Sequence, residues 1–439
     1  MSILPSVIRI TKPSQRASLR LVVVRSYATE SLPSSSSSAS TSSNPDPLPL
    51  PLKPNTASKP RLYPRPRPAV SHHHHPPLPK LPPSFGRNQL LPVSNSTRAL
   101  LEAIVAGFEA PIRYAFAYGS GVFEQDGYVL PGAASTSTPV EGGKQAQEVP
   151  MLDFMFAVTH PAHFHSINMQ QHPSHYPLHA RVLGSSYVSR VEEFGPGVWF
   201  NAYVPMNGVT IKYGVTTVDN LCSDLLNWRT LYLAGRMHKP LRIIKDDARV
   251  RLTQQVNLTS AVRAALLTLP ASFSETELFE RIAGISYAGD PRMLLPAENR
   301  GKVTNIVRKQ GGQFKELYHR LVVGLPGVHW PIDAERIEQD VSPRARAAHL
   351  RKLPVGLLGR VRDNYGRRRD AGPGVEADES AYWARLAGDE GLPQVLGQEM
   401  SNIVRYPATV QSLKGIASVG LVKSLRYSTA KVGKWWTGS

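Results

Sequence analysis

The most informative run of this 439-residue chain is Phe116-Ala117-Tyr118-Gly119-Ser120-Gly121-Val122-Phe123. Its first half continues a β-prone stretch that begins at Tyr114, and its second half is a Gly-Ser-Gly turn. Glycine after a strand lets the backbone turn tightly and approach a ligand. The N–H groups of such a turn can converge on an anion, and Ser120 adds a hydroxyl. The run predicts a strand followed by a phosphate-holding turn, although Gly-Ser-Gly alone is also typical of ordinary turns.

An aspartate stands at the head of the next strand-like run, residues 151–158. A Gly-Ser turn followed by an acid in a strand, here Asp153, resembles the DNA-polymerase-β-like nucleotidyltransferase fold. In that fold the turn holds triphosphate oxygens and strand carboxylates hold Mg²⁺. It usually carries two alternating acids, whereas Met151 and Met155 flank Asp153 here. A buried structural carboxylate is therefore the alternative role of Asp153. The spare candidates for a second metal ligand are Glu124 and Asp126.

Hydrophobic patterning predicts an α+β fold around these two strands. Residues 96–108 show helical spacing, and two strand-like runs, 198–204 and 209–215, flank a Met206-Asn207-Gly208 turn. Ser274-Glu275-Thr276-Glu277 is a capping box that starts a helix through Ile282. The other predicted elements are a helix over 219–233, a strand over 241–244, and helices over 258–267, 302–307 and 314–323.

The composition narrows the class of partner. Lys and Arg number 51 and Asp and Glu 33, so the net charge is +18, which favours a polyanion such as nucleic acid, nucleotide or acidic lipid. The single cysteine, Cys222, excludes an intrachain disulfide and a multi-cysteine metal site. An uninterrupted apolar run of ~18 residues, which a spanning helix needs, does not occur. An integral membrane enzyme is therefore not predicted.

The N-terminus is typical of a targeting segment. Residues 1–29 contain five arginines and lysines and no acid before Glu30, which predicts a mitochondrial transit peptide cleaved after Tyr27. An ordinary basic tail is the alternative. The Ser- and Pro-rich stretch that follows, with its His72–His75 run, predicts a disordered linker to residue 92.

Several motifs, in order over roughly residues 100–435, resemble those of the mitochondrial phosphatidate cytidylyltransferase family, also named for mitochondrial translocator assembly and maintenance. The first is the Gly-Ser run 116–123. The others are Met151-Leu152-Asp153-Phe154, His160-Pro161, His163-Phe164-His165, Asn168-Met169, Ile211-Lys212-Tyr213-Gly214-Val215, Tyr232-Leu233-Ala234-Gly235-Arg236, Lys239-Pro240, Ser286-Tyr287-Ala288-Gly289-Asp290, Lys302-Val303, Asn305-Ile306-Val307, Leu413-Lys414-Gly415-Ile416 and Lys423-Ser424.

The resemblance implies the reaction of CTP with phosphatidate to give CDP-diacylglycerol and pyrophosphate, with Mg²⁺ as cofactor. It implies a peripheral enzyme on the matrix side of the mitochondrial inner membrane that feeds cardiolipin and phosphatidylglycerol synthesis. The expected order of segments begins with a transit peptide over 1–27 and a linker over 28–92. A nucleotidyltransferase domain over 93–250 and a helical winged-helix-like domain over 251–345 follow. The chain then continues with a basic linker with an insertion over 346–409 and an amphipathic membrane-docking helix over 410–439.

The resemblance also suggests roles for individual residues. Gly119, Ser120 and Gly121 are expected to hold CTP phosphates, Asp153 to bind Mg²⁺, and Lys212 to neutralise charge near the α-phosphate. Asp153, Lys212 and Ser120 are thus the catalytic candidates. A phosphate oxygen of phosphatidate is already anionic at neutral pH, so a general base is not required.

Other candidates keep two roles open. Tyr213 either stacks on cytosine or packs in the core. Arg236 and Lys239 either bind the triphosphate or complement a helix dipole. Four residues of the second domain either close over the nucleotide or bind the phosphatidate headgroup, with ordinary solvated surface as the alternative to both roles. They are Asp290, Arg292, Lys302 and Asn305.

A group of histidines and the C-terminal tail each have two interpretations. His160, His163, His165, His172 and His175 show metal-site spacings, but structural roles are favoured over zinc because cysteine is lacking nearby. The tail predicts an amphipathic helix on an acidic lipid surface, with a helix packed on its own domain as the alternative. Its docking candidates are Leu413, Leu421, Leu425, Lys423, Arg426, Trp435 and Trp436.

Two other functions compete with this interpretation. A nucleotidyltransferase that acts on RNA or a sugar phosphate could use the basic residues 344–369, but a known RNA-binding motif is lacking, so nucleic acid is not expected. A non-enzymatic membrane scaffold that supports protein import would tolerate loss of Asp153. Oligomeric state, including a homo-oligomer, stays open.

Overall fold

The computed structural model describes residues 81–119, 121–123, 151–294, 301–367 and 379–419. Within these ranges the chain is mixed α and β, as predicted. The strands are β1 Tyr114–Tyr118, β2 Leu152–Val158, β3 Trp199–Met206, β4 Val209–Thr217, β5 Leu241–Lys245, β6 Ser272–Ser274, β7 Val328–His329 and β8 Arg336–Gln339. The helices are α1 Asn95–Ala106, α2 Pro161–Gln171, α3 Leu178–Glu193, α4 Val218–Asn227, α5 Ala248–Leu266, α6 Glu275–Gly284, α7 Lys302–Val323, α8 Pro343–Leu350, α9 Val355–Arg367, α10 Glu379–Gly388 and α11 Leu392–Val419.

The larger sheet has the strand order β3-β4-β2-β1-β5, with β2 and β4 parallel and the other pairs antiparallel. Asp153 pairs with Tyr118 on one side and with Lys212 on the other. The predicted hairpin joins β3 to β4, and Asn207 and Gly208 both have positive φ, at 48° and 77°. This conformation is that of a type I′ turn, which Asn-Gly favours.

The two faces of this sheet are buried by different parts of the chain. Phe154, Phe156 and Tyr213 lie in a core that includes residues of α1 and α2. Phe116 and Met155 lie on the opposite face, in a core that continues into α4 and α5. Because side chains alternate along a strand, Asp153 and Lys212 belong to this second face. The site is therefore built where the sheet meets the later helices.

The smaller sheet has the order β6-β8-β7 and is antiparallel, and the elements around it follow the chain order α5-β6-α6-α7-β7-β8. The capping box at Ser274 is confirmed. Two helices were predicted, over 302–307 and 314–323, and α7 consists of two helical segments that meet at a kink at the non-helical Gln310. The helix predicted over 219–233 ends at Asn227, because Trp228 adopts a left-handed conformation.

The C-terminal helices complete the larger core. Trp383, Leu386, Leu392 and Leu396 are buried in the cluster that also covers the sheet. The segment over 346–409, which was expected to be a basic linker with an insertion, thus contributes core residues. Helix α11 runs continuously through the boundary predicted at residues 409 and 410. None of the described helices combines the length and apolar character needed to cross a bilayer.

Candidate active site

Gly119, Asp153 and Lys212 meet at one edge of the larger sheet. Lys212 Nζ lies 3.5 Å from Asp153 Oδ1, and the two side chains are 32% and 28% exposed. Gly119 has a φ of 87°, and a Cβ atom at this position would lie 3.5 Å from Asp153 Oδ2. The left-handed conformation favours glycine, and the backbone of the turn lies close to the carboxylate. The turn after β1 and the acid of β2 therefore face each other, as the sequence predicted.

The turn also packs closely against β2 at its second glycine. A Cβ atom on Gly121 would lie 2.7 Å from the Leu152 side chain and 3.2 Å from the Met151 carbonyl oxygen. Gly121 thus allows the turn to approach the strand that carries Asp153. Ser120 lies outside the described residues.

The Asp153 carboxylate fits a magnesium ligand. Oδ1 is buried and, within the described ranges, accepts no hydrogen bond. Mg²⁺ is usually held by one or two carboxylates together with substrate phosphates and water. The described residues contain no group of three or more His, Cys, Asp or Glu side chains that could hold a metal. The chemistry of Asp153 Oδ1 therefore fits one carboxylate ligand of Mg²⁺.

Lys212 keeps its positive charge beside this carboxylate. Desolvation opposes the charge, but the Asp153 carboxylate together with Tyr118 and Tyr232 outweighs it and raises the pKa of Lys212 above its usual value. The ammonium also lies 4.8 Å from the centroid of the Phe200 ring. A cation held by aromatic and carboxylate neighbours is well suited to meet phosphate oxygens.

Arg236 extends the positive surface along the same face. Its guanidinium carbon lies 3.8 Å from the Tyr232 ring centroid and 6.0 Å from the rings of both Tyr118 and Phe200. Nη1 donates to the Tyr232 carbonyl oxygen at 2.5 Å. These contacts hold the guanidinium plane, so Arg236 is a pre-oriented cation beside Lys212. The alternative role at a helix dipole was wrong for Arg236 and Lys239, because α4 ends at Asn227 and both residues lie in the loop that follows.

Lys239 is a half-buried cation on the same loop as Arg236. Nζ donates to the Gly235 carbonyl oxygen and to Ser286 Oγ, both at 2.7 Å. Burial, together with the positive charges of Arg236 and Lys302, lowers the pKa of Lys239 to about 7. A lysine that loses its proton this easily indicates a pocket short of negative charge, which a polyanion would supply.

The candidates from the later helices approach the same cluster. The ammonium groups of Lys239 and Lys302 lie 5.0 and 5.6 Å from the Tyr287 ring centroid. Arg292 makes a bidentate ion pair with Asp290, and its side chain is 48% exposed. Burial tends to raise the pKa of Asp290, but the hydrogen bonds from Arg292 outweigh it and lower that pKa. Asn305 lies half-buried near the start of α7.

Asp224 is a positioning residue that sequence reasoning missed. It lies on α4 and is buried, and its carboxylate accepts four backbone N–H groups and one hydroxyl of the loop that carries Arg236. Two non-glycine residues of this loop, Trp228 and Leu231, have positive φ. The donors are the N–H groups of Thr230, Leu231, Leu233 and Ala234 and the hydroxyl of Thr230. The carboxylate thus fixes a loop that would otherwise be strained.

Asn257 of α5 holds the same loop from the other side. Its Oδ1 accepts from Trp228 Nε1 at 2.8 Å and lies 3.0 Å from His238 Nε2, while its Nδ2 donates to the Ala234 carbonyl oxygen. Burial lowers the pKa of His238 to about 3, so this histidine is neutral and can donate through Nε2. The sequence holds no local signal for this residue, because its partners are distant in the chain.

Tyr213 does not reach the site. It is fully buried, stacks on Phe156 and accepts hydrogen bonds from Asn168 and Asn201 at its hydroxyl. Lys212 and Tyr213 are consecutive in β4, so they point to opposite faces of the sheet. Of the two roles considered for Tyr213, packing in the core is the one that its position fits.

The histidine group is also structural in the described part of the chain. His165 Nδ1 lies 2.8 Å from the Tyr176 hydroxyl, and Nε2 lies 3.0 Å from Glu192 Oε2. Burial lowers the pKa of His165 to about 3. His160 and His163 are exposed. These positions favour hydrogen bonding and packing over zinc.

The docking candidates are described only in part. Leu413 is 64% exposed, whereas the neighbouring Lys414 is buried and donates to the carbonyl oxygens of Glu192 and Phe194. This part of α11 packs on the α3 end of the protein. The candidates outside the described residues are Leu421, Lys423, Leu425, Arg426, Trp435 and Trp436.

Comparison with known proteins finds a family model and relatives that carry the same name. The family model described as "Phosphatidate cytidylyltransferase, mitochondrial" matches residues 101–434. Relatives of the same name come from Danio rerio, with 38% identity over 79% of this chain and 98% of the relative, and from Xenopus laevis, with 39% identity over 78% and 96%. The Saccharomyces cerevisiae protein of that name is 40% identical over 54% of this chain and 59% of its own length.

Proposed function

Because this chain belongs to the mitochondrial phosphatidate cytidylyltransferase family, we propose that it transfers CMP from CTP to phosphatidate and so produces CDP-diacylglycerol and pyrophosphate. The observation that carries the proposal is a match over 98% of the Danio rerio relative, together with a cationic cluster around Gly119 and Asp153. A triphosphate and a phosphate monoester are both polyanions, and this cluster is complementary to both.

The fold supports the same proposal. We interpret β1, the Gly119 turn and β2 as the centre of a nucleotidyltransferase domain of the DNA-polymerase-β-like kind. The order α5-β6-α6-α7-β7-β8, with its small antiparallel sheet, is that of a winged helix, and we assign it to the second domain. The cations of the site come from both parts of the chain, so the nucleotide is expected to bind between them.

In the proposed mechanism the triphosphate of CTP lies on the turn after β1. The backbone of Gly119 and Gly121 approaches the β- and γ-phosphates, and the Ser120 hydroxyl donates to them. Lys212, Arg236 and Lys239 neutralise the triphosphate, and the cost of desolvating Lys239 is offset when its charge meets an anion.

Asp153 is the residue proposed to hold Mg²⁺, because its buried Oδ1 accepts no hydrogen bond within the described ranges and has only the Lys212 ammonium, 3.5 Å away, as an ion-pair neighbour there. The metal, when bound, would neutralise charge on the triphosphate oxygens. Whether a second ligand comes from Glu124 or Asp126 lies outside the described residues.

The transfer step itself needs little from the protein beyond positioning. A phosphate oxygen of phosphatidate attacks the α-phosphorus of CTP, a new P–O–P bond forms, and the bond from the α-phosphorus to the bridging oxygen breaks so that pyrophosphate leaves. The nucleophile is already ionised, so the described histidines take no proton. Lys302, Asn305 and Arg292 are the residues proposed to hold the phosphatidate headgroup.

The protein is proposed to act on the matrix side of the mitochondrial inner membrane as a peripheral enzyme. The names of its relatives include the word mitochondrial, and residues 1–27 have the composition of a transit peptide. The acid-free segment after Val419 is proposed to bind acidic lipid.

The test is to incubate the purified protein with labelled CTP, Mg²⁺ and phosphatidate in liposomes and to measure lipid-linked CMP. Asp153→Asn is expected to lower turnover at least ~100-fold while the melting temperature stays close to the wild-type value. Asp219→Asn is the matched control, because the Asp219 side chain of α4 is exposed, and it should leave turnover unchanged. Full activity of Asp153→Asn would refute the assigned site, and an inactive wild-type protein would favour a scaffold.

A further inference from the structure

A groove lies away from the sheet edge that carries Asp153. Its volume is about 510 Å³, and it is bounded by α5, α6, the start of α7 and α11. Ligand sites typically have ~300–1,000 Å³, so the groove is large enough to hold part of a substrate. Its lining is mostly small and apolar, and includes Ala264, Ala265, Gly284, Ala288, Gly397 and Met400.

Two helical glycines show that the groove is open space. A Cβ atom built on Gly284 of α6 or on Gly397 of α11 meets no atom within 4 Å. Both glycines are half-buried and line the groove, so the open space at each belongs to the groove. Apolar walls without a filling side chain are suited to a flexible hydrocarbon chain.

One end of the groove adjoins the cationic cluster. Tyr287 and Ala288 are consecutive: the Tyr287 ring lies under Lys239 and Lys302, while Ala288 lines the groove. Lys302 and Val303 form a second such pair, since Val303 also lines the groove. A molecule with an anionic end and an apolar tail can therefore reach both surfaces at once.

The other end of the groove carries charges of both signs. Glu277, Glu280 and Arg281 line it near the start of α6. A rise of ~1.5 Å per residue separates Glu277 from Gly284 by about 10 Å along the helix. The clustered cations Lys239 and Lys302 lie at the Tyr287 end instead, so that end is the one complementary to a phosphate group.

We propose that this groove holds one fatty acyl chain of phosphatidate, with the phosphate at the Lys302 end and the hydrocarbon along α6. The proposal rests on the proposed function and adds a site for the lipid tail. It predicts that the enzyme distinguishes long acyl chains from short ones within the protein, apart from how it docks on a membrane.

The experiment measures CMP transfer to dipalmitoyl phosphatidate in detergent micelles and to soluble dihexanoyl phosphatidate. Each variant is compared with the wild type on the same lipid, so that docking on the micelle is common to both proteins. Gly397→Trp and Gly284→Phe fill the groove from helical positions. Each is expected to lower kcat/KM for the dipalmitoyl lipid about tenfold or more and to change the dihexanoyl value less than about twofold. Gly359→Trp is the matched control, because Gly359 is an exposed glycine on α9 whose Cβ also meets open space.

A second measurement does not depend on turnover. Phosphatidate with a diazirine at the end of one acyl chain is photolysed with the protein, and labelled peptides are identified by mass spectrometry. Label on α6 or α11 in the wild type and in Gly359→Trp, lost in Gly397→Trp, supports the groove. Label elsewhere in the wild type overturns it, and so does an equal loss of transfer for both lipids or an unchanged dipalmitoyl value. If the wild type transfers CMP to neither lipid, the proposed function fails and labelling alone decides the groove.

Discussion

At the scale of single residues, the charge of Lys239 depends on what occupies the site. Its pKa is lowered to about 7 by burial and by the nearby cations Arg236 and Lys302. A bound triphosphate would stabilise the protonated form and raise that pKa. Above pH 7 the free protein must therefore take up a proton when CTP binds, so affinity falls as pH rises.

Calorimetric titration of CTP with Mg²⁺ between pH 7.5 and 9 checks this prediction. The dissociation constant is expected to rise by up to ~tenfold per pH unit, since one proton is linked to binding. The terminal phosphate has its pKa near ~6 and does not titrate in this range. Lys239→Arg should bind without the pH slope, and Lys239→Met should bind weakly at every pH. A flat wild-type profile would contradict the assignment of Lys239 to the triphosphate.

Single residues also show how far sequence patterns reach. The pairing of Gly119 with Asp153 was predicted, because a Gly-Ser turn and an acid at the head of the next strand are local signals. Alternation along β4 could also have separated Lys212 from Tyr213, because consecutive strand residues point to opposite faces. Asp224 was not predicted, since a carboxylate inside a helix pattern does not reveal which distant N–H groups it accepts.

At the scale of elements, features that depend on neighbouring residues were predicted correctly, whereas a feature that depends on distant residues was not. The Asn207-Gly208 turn and the Ser274 capping box depend on neighbouring residues and were found as predicted. The helix predicted over 219–233 failed after Asn227, where Asp224 and Asn257 hold the following loop in a different conformation. Tertiary hydrogen bonds override helix propensity there.

This loop gives the element-scale prediction. Asp224→Asn replaces one carboxylate oxygen by an NH₂ group, which cannot accept from the Leu233 and Ala234 N–H groups. Unsatisfied buried donors cost ~1–3 kcal/mol each, so the free energy of unfolding should fall by about 3 kcal/mol. Urea denaturation measures this change.

CTP affinity should fall in the same variant, because the loop also carries Arg236 and Lys239. Asp219→Asn is the control on the same helix: its carboxylate is 76% exposed, so both quantities should stay near wild type. Wild-type stability together with wild-type affinity in Asp224→Asn would show that the carboxylate does not position the loop.

At the scale of the whole molecule, α11 packs on the folded part of the chain and precedes the segment that is proposed to bind lipid. Up to Gly415, α11 is part of the fold: Val410 contacts the backbone position of Gly195, and Lys414 Nζ lies 3.2 Å from the Glu192 carbonyl oxygen and 3.0 Å from that of Phe194. A cation at these carbonyls complements the C-terminal end of α3. The sequence placed Lys414 in the predicted membrane-docking helix but could not show that its side chain is buried in the fold.

The proposed lipid contact should therefore be tested by a cut after Val419, not one at residue 410. The removed segment is free of acids, and each of its bases contributes about 1 kcal/mol near an acidic surface. A chain that ends at Val419 should keep the wild-type melting temperature but lose flotation with acidic liposomes. Its transfer to soluble dihexanoyl phosphatidate should persist. The bases are Lys423, Arg426, Lys431 and Lys434.

Lys414→Met is the complementary variant and separates folding from docking. It removes the hydrogen bonds to Glu192 and Phe194 and should lower the free energy of unfolding by ~1–2 kcal/mol while flotation persists, because the basic segment remains. Flotation of the shortened chain at the wild-type level would reject docking through the C-terminal segment. The lipid contact would then have to lie on the folded part, where Leu413 and Phe194 are exposed hydrophobic residues.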